Sequence, residues 1–178
     1  MPVEADRRLR RRSGHIAAAC LILAAVLPVL VAVGWLAEGP AAALSARGTV
    51  AEGAQPGAVA VAAATALALV PVLFVSLALL AARRCFAAFA DGAWFSAAPP
   101  AALGACGRWV LLSAAAGLVM PTVLGLVLTA GAPPGHRVLA IEVGSGSLLG
   151  LLLGAMAWCL GAVWARAYRL AEDHAQIV

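Results

Sequence analysis

Residues 16–37 read IAAACLILAAVLPVLVAVGWLA and carry no charge over 22 positions. At about 1.5 Å of helical rise per residue, such a run crosses the roughly 30 Å hydrocarbon core of a bilayer. Three further windows, residues 53–82, 109–135 and 143–165, also lack Asp, Glu, Lys and Arg, and each exceeds the ~18 residues a spanning helix needs. The composition agrees. Charged residues make up 11% of the 178, hydrophobic residues 64%, and the mean hydropathy is +1.00, whereas roughly one residue in four is charged in a soluble domain. Too little polar surface remains to cover a water-soluble globule. The sequence predicts an all-α integral membrane protein, a four-helix bundle forming a single domain.

The flanks of the windows orient the chain. Of the twelve arginines, Arg7, Arg8, Arg10, Arg11 and Arg12 precede span one, Arg83, Arg84 and Arg108 lie between spans two and three, and Arg166 and Arg169 follow span four. Arg47 and Arg137 alone fall on the other side. Basic residues are retained in the cytoplasm, so both termini and the 83–108 segment are predicted cytoplasmic. The order is then a basic N-terminus (1–15), spans at 16–37, 57–82, 109–130 and 143–165, outer loops at 38–56 and 131–142, the 83–108 segment, and a tail at 166–178. Span two is placed from residue 57 because Gln55-Pro56-Gly57 marks a helix start, with Pro56 tolerated in a first turn. The Arg-rich start and Ala-Leu-Ser-Ala at 43–46 imitate a cleaved signal peptide, but the apolar run is too long for one and is read as span one. The basic cluster serves as an orientation signal that also touches anionic lipid. Direct nucleic-acid binding is not expected, since neither interleaved aromatics nor a folded module accompanies it.

Alanine and glycine dominate the spans, so close packing rather than hydrophobic force must join them. In span four Gly146, Gly150 and Gly154 recur every four residues along one stripe, which suits packing within the bundle or a homo-oligomer seam. Pro28, Pro71 and Pro121 lie inside spans one, two and three, where each removes a backbone donor and favours a kink. Thr65, Ser76, Ser113, Thr122 and Thr129 are the kind of hydroxyls that re-satisfy freed carbonyls.

Ionisable side chains within the membrane mark proton relays, ion paths and cofactor ligation, and the four windows hold none. His15, His136 and His174 lie outside them and on different sides, so no pair clamps a haem. Cys20, Cys85, Cys106 and Cys159 show no CxxC spacing and are read as reduced or buried thiols. Gly144-Ser145-Gly146-Ser147 offers a serine without a histidine to activate it. A phosphate loop needs a lysine, and the chain has no lysine. No catalytic, cofactor or metal residues are assigned, and no enzyme is expected.

The least generic side chains lie in Arg83-Arg84-Cys85-Phe86-Ala87-Ala88-Phe89-Ala90-Asp91-Gly92-Ala93-Trp94-Phe95-Ser96. Phe86 and Phe89 fall three apart on one helical face, so the second helix is predicted to run past the membrane until Gly92 stops it. Trp94 and Phe95 then fold back toward the interface. Ser96 is expected as an N-cap, with Pro99 and Pro100 in the first turn of a helix leading through Arg108 into span three. The segment reads as an interfacial elbow, and Phe86, Phe89, Gly92, Trp94, Phe95 and Ser96 form the candidate docking surface for a cytoplasmic partner.

Phe86, Phe89, Gly92, Phe95 and Ser96, with Leu103, Gly107 and Arg108, resemble the F-x-x-[FY]-x-x-G-x-x-F-[ST] elbow of the bacterial family catalogued as domain of unknown function 2975. The ending Leu170 to Val178 is similar to the acidic tail of many of its members. The chain departs from the pattern with Ala97-Ala98-Pro99-Pro100 in place of a polar stretch, and with His174 where Asn is common. The resemblance implies a small multi-pass bacterial inner-membrane protein without established activity. It also implies a cytoplasmic helix-turn-helix regulator as partner.

Two functions follow as expectations. One is a non-enzymatic interaction or regulatory protein that presents the elbow and the tail to a cytoplasmic partner. The alternative is a subunit of an oligomeric transporter or channel for a small or lipophilic solute, suggested by the central prolines and the glycine-rich fourth span.

Overall fold

The structure, a computed structural model, describes residues 2–38, 57–94, 96–129 and 144–175. Both predicted outer loops therefore lie almost wholly outside the described residues, with Arg47, Arg137 and His136, as does Phe95 of the elbow. Four long helices make up the fold: α1 (Pro2–Glu38), α2 (Ala58–Ala90), α3 (Ala98–Thr129) and α4 (Ser145–Ala175). Each contains an apolar stretch of 29 to 33 residues, long enough to span a bilayer with turns to spare. No more than 17% of any stretch's most apolar window is buried by protein. Leucines and valines such as Leu30, Leu73, Val119 and Leu152 face outward on every helix, which is stable only where the surrounding solvent is apolar.

Helix runs past the predicted span limits at the arginine-rich end. The basic N-terminus is helical from Pro2, and the segment expected as a tail is helical through Ala175. Pro28, Pro71 and Pro121 sit inside α1, α2 and α3, and each helix continues through its proline.

Backbone packing joins α1 to α2, α2 to α3 and α3 to α4, and no other pair among the described residues. The bundle is thus open, a row of sequence neighbours with α1 and α4 as its edges. Its seams are lined by small side chains. Ser13, Ala17, Cys20 and Ala24 are the buried positions of α1, and Ala78, Ala81 and Cys85 are buried on α2. Their three- and four-residue steps are those of helices crossing at a shallow angle. Small side chains let backbones approach closely, which is the source of attraction available when lipid is as apolar as leucine.

The closest approach joins α3 and α4. A Cβ at Gly107 would overlap the backbone nitrogen of Trp158, and one at Gly161 would lie 2.6 Å from the nitrogen of Gly104. A Cβ at Gly154 would meet the nitrogen of Leu111 at 2.9 Å, and one at Gly150 would meet the Ala114 methyl at 3.0 Å. The α4 seam therefore runs Ser147, Gly150, Gly154, Trp158 and Gly161. Of the four-residue stripe expected from the sequence, Gly150 and Gly154 line this seam, whereas Gly146 has nothing within 4 Å of its would-be Cβ. A shallow crossing follows a 3.5-residue repeat rather than a strict step of four, so the seam passes through Ser147 instead.

The hydroxyls also divide in a way spacing did not show. Thr65 and Ser76 donate to the carbonyls of Val61 and Val72, four residues back in their own helix. Ser113 donates from α3 across to the Pro71 carbonyl of α2 at 2.9 Å, an interhelical bond worth about 0.6–2 kcal/mol in a membrane. Phe74 and Trp109 stack across the same seam, with ring centroids 5.8 Å apart.

Candidate partner-docking elbow

The elbow begins where α2 ends. Gly92 adopts φ +79°, a conformation that costs an L side chain about 1 kcal/mol or more and glycine nothing. The amide of Gly92 donates to the Phe89 carbonyl at 3.1 Å, and that of Ala93 to the Ala88 carbonyl at 2.9 Å. These bonds close a left-handed cap of the kind that ends many helices. Gly92 thus stops the helix as the sequence predicted.

Side chains then converge on Phe89. It stacks on Trp94 with centroids 5.2 Å apart and on Trp164 of α4 at 6.0 Å, and it meets Phe86 edge-on at 6.2 Å. Offset aromatic pairs contribute roughly 0.5–1.5 kcal/mol each beyond the area they bury. Trp164 belongs to α4, which shares no backbone contact with α2, so the ring stack ties the elbow to the last helix. Sequence reasoning did not list Trp164. Its only signal was an indole near the arginine-flanked end of span four.

Arg10 was read as one of five orientation charges, and the structure gives it a further role. Its guanidinium lies against Gly92, where an added Cβ would overlap it. A cation at this point faces the C-terminal end of α2, where the helix dipole favours positive charge. The other flanking arginines, Arg7, Arg8, Arg11, Arg12, Arg83, Arg84 and Arg108, are solvent-exposed at the same end, as are Arg166 and Arg169.

Ser96 does not act as the N-cap. Helix α3 begins at Ala98, and the Ser96 hydroxyl instead donates back to the Ala93 carbonyl at 3.0 Å. The reason is local chemistry. A cap accepts from the second and third amides of the helix, and here Pro99 and Pro100 occupy those places without N–H groups. Pro99 is wholly buried, and the Pro100 carbonyl lies 3.0 Å from where a Gly161 Cβ would be. The proline pair therefore seats the start of α3 against α4.

Beside the ring stack, Trp164, Ala167, Tyr168, Ala171 and Glu172 line an open groove of about 350 Å³ on the helical extension of α4. Trp164 belongs to both the ring stack and the groove, and the one charged residue lining the groove is Glu172.

Cys20, Cys85 and Cys106 come from three different helices, α1, α2 and α3. All four cysteines are unpaired thiols. Among the described residues no group of three or more His, Cys, Asp or Glu is placed to hold a metal ion. Two of the three glycines proposed for a helix seam, Gly150 and Gly154, meet α3 of the same chain.

The chain matches no family model, no curated protein and no solved structure.

Proposed function

We propose that this small multi-pass membrane protein is a non-enzymatic docking platform, whose elbow and α4 extension together receive a cytoplasmic partner with an acidic face. One observation carries the reading. Phe89 stacks on both Trp94 and Trp164, which couples two segments distant in sequence into a single fixed surface beside an open groove. The exposed arginines at this end of the bundle favour an acidic partner over a basic one. The resemblance to the four-span family implies that this partner is a helix-turn-helix regulator in a bacterial cytoplasm, recruited to the inner membrane.

A transport role receives less support. The helices run unbroken through their prolines, whereas transporter sites are built from interrupted helices. Gly150 and Gly154 are engaged within the chain, so an oligomer would need another face of α4.

The test is site-specific photocrosslinking in cells, with the reactive residue at Tyr168 or, as a lipid-facing control, at Leu152. Tyr168 is expected to capture a discrete protein that is lost when Ala167→Arg blocks the groove, and Leu152 is expected to capture none. Equal capture at both positions, or capture indifferent to Ala167→Arg, overturns the reading.

A further inference from the structure

Five arginines precede the first span, and helix α1 divides them between two faces. Its buried positions Ser13, Ala17, Cys20 and Ala24 mark the face turned to α2, and Arg10 lies on that side, against Gly92. At about 100° of turn per residue, Arg8, Arg11 and His15 fall within about 30° of the opposite direction, with Arg12 beside them. All four side chains are exposed. The same outward line enters the span through the small Ala18 and Ala19 and continues as Ile22 and Val26, all exposed. Helix α1 packs on α2 and on no other helix among the described residues, so no described part of the chain covers this face.

The edge of the bundle thus carries a cationic cluster on an apolar stripe, and its dimensions are those of one lipid. Arg11 to His15 is about 6 Å of helical rise, comparable with the roughly 5–8 Å that headgroups add to each side of the hydrocarbon core. His15 to Val26 is about 16 Å, close to the ~15 Å depth of one leaflet's hydrocarbon. A guanidinium binds phosphate through paired N–H donors, and an imidazole supplies a donor in either protonation state. A second copy related by an axis along the membrane normal would set these arginines against their own counterparts, which like charge opposes. A soluble acidic segment would meet the arginines alone. An anionic phospholipid meets both the cations and the apolar line beneath them.

We propose that the outer face of α1 retains an anionic phospholipid, its phosphate held by Arg8, Arg11 and Arg12 with His15, and an acyl chain lying against Ile22 and Val26. The site faces away from α2 and the elbow, and its occupancy does not depend on any cytoplasmic partner.

The experiment titrates the full chain in detergent with phosphatidylglycerol or with phosphatidylcholine of the same acyl chains, whose choline offsets the phosphate charge, and counts bound lipid by native mass spectrometry. One phosphatidylglycerol is expected to bind roughly tenfold more tightly than phosphatidylcholine, the worth of a charge-assisted contact. Arg8→Gln, Arg11→Gln and Arg12→Gln together should remove that preference. Arg83→Gln, Arg84→Gln and Arg108→Gln together strip equal charge from α2 and α3 and should change it by less than about twofold. A second measurement needs no variant. In nanodiscs containing phosphatidylglycerol with a mid-chain diazirine, crosslinks to the unaltered chain should concentrate on Ile22 and Val26 over Leu160 and Val163, which are exposed on α4 toward the same end. Three results would overturn the proposal. They are equal loss of preference in the two triple variants, even labelling of α1 and α4, and a dimer that crosslinks through Ile22→Cys in a chain free of other cysteines, which assigns the face to a second copy.

Discussion

Gly92 and Arg10 show how much a single position carries at the elbow. With φ at +79° and the Arg10 guanidinium in the space a methyl would fill, Gly92→Ala is expected to cost about 1–3 kcal/mol, read as a lower melting temperature by circular dichroism in detergent. Gly34→Ala is the matched control, because nothing lies within 4 Å of its would-be Cβ, and it should hold or raise stability. Ser113→Ala removes the bond to Pro71 and should destabilise by about 0.6–2 kcal/mol, measured in the same way. The helix stop at Gly92 was legible in sequence because it is a local requirement of the backbone. The contact with Arg10 was not, since it joins residues 82 positions apart. Ser96 was legible in kind but misplaced, because the two prolines that follow remove the amides a cap would satisfy.

Among the elements, the α3–α4 pair has the tightest seam and gives the sharpest contrast between positions. Gly107→Ala and Gly161→Ala each place a methyl into backbone of the facing helix, and each should destabilise by about 1–3 kcal/mol as the helices are forced apart. Gly146→Ala, one residue outside the seam, should be neutral. Unfolding in mixed micelles with increasing dodecyl sulfate distinguishes the three. An equal loss at Gly146 would restore the four-residue stripe that the sequence suggested. That stripe was visible because glycine at a fixed interval is conspicuous in any helix. The true register was hidden, because the angle at which two helices cross decides whether contacts recur every 3.5 or every four residues, and neither helix encodes that angle alone. Gly104 and Gly107 are as plain in the sequence as Gly161 and Gly154. Only their apposition shows that they face one another.

For the whole molecule, the open row of helices brings ten arginines to one end together with the elbow and the α4 extension. The arginine count predicts that this end is cytoplasmic. In a variant otherwise free of cysteine, Val178→Cys should react with a membrane-impermeant maleimide only after the membrane is opened, and Ser45→Cys should react in intact cells. Reaction of Val178→Cys in intact cells would reverse the orientation and remove the case for a cytoplasmic partner. The number of spans and the absence of charge within them were determined by the sequence itself, because the cost of placing a charge in hydrocarbon acts on each helix separately. The candidate docking segment was legible for the same reason, as the place where aromatic and basic residues interrupt an apolar chain. The sequence could not say that Trp164 completes the elbow, that Arg10 covers its turn, or that Ser113 reaches the Pro71 carbonyl of the neighbouring helix. Those pairings depend on which faces meet, and where lipid solvates every face alike, close packing between small side chains decides it.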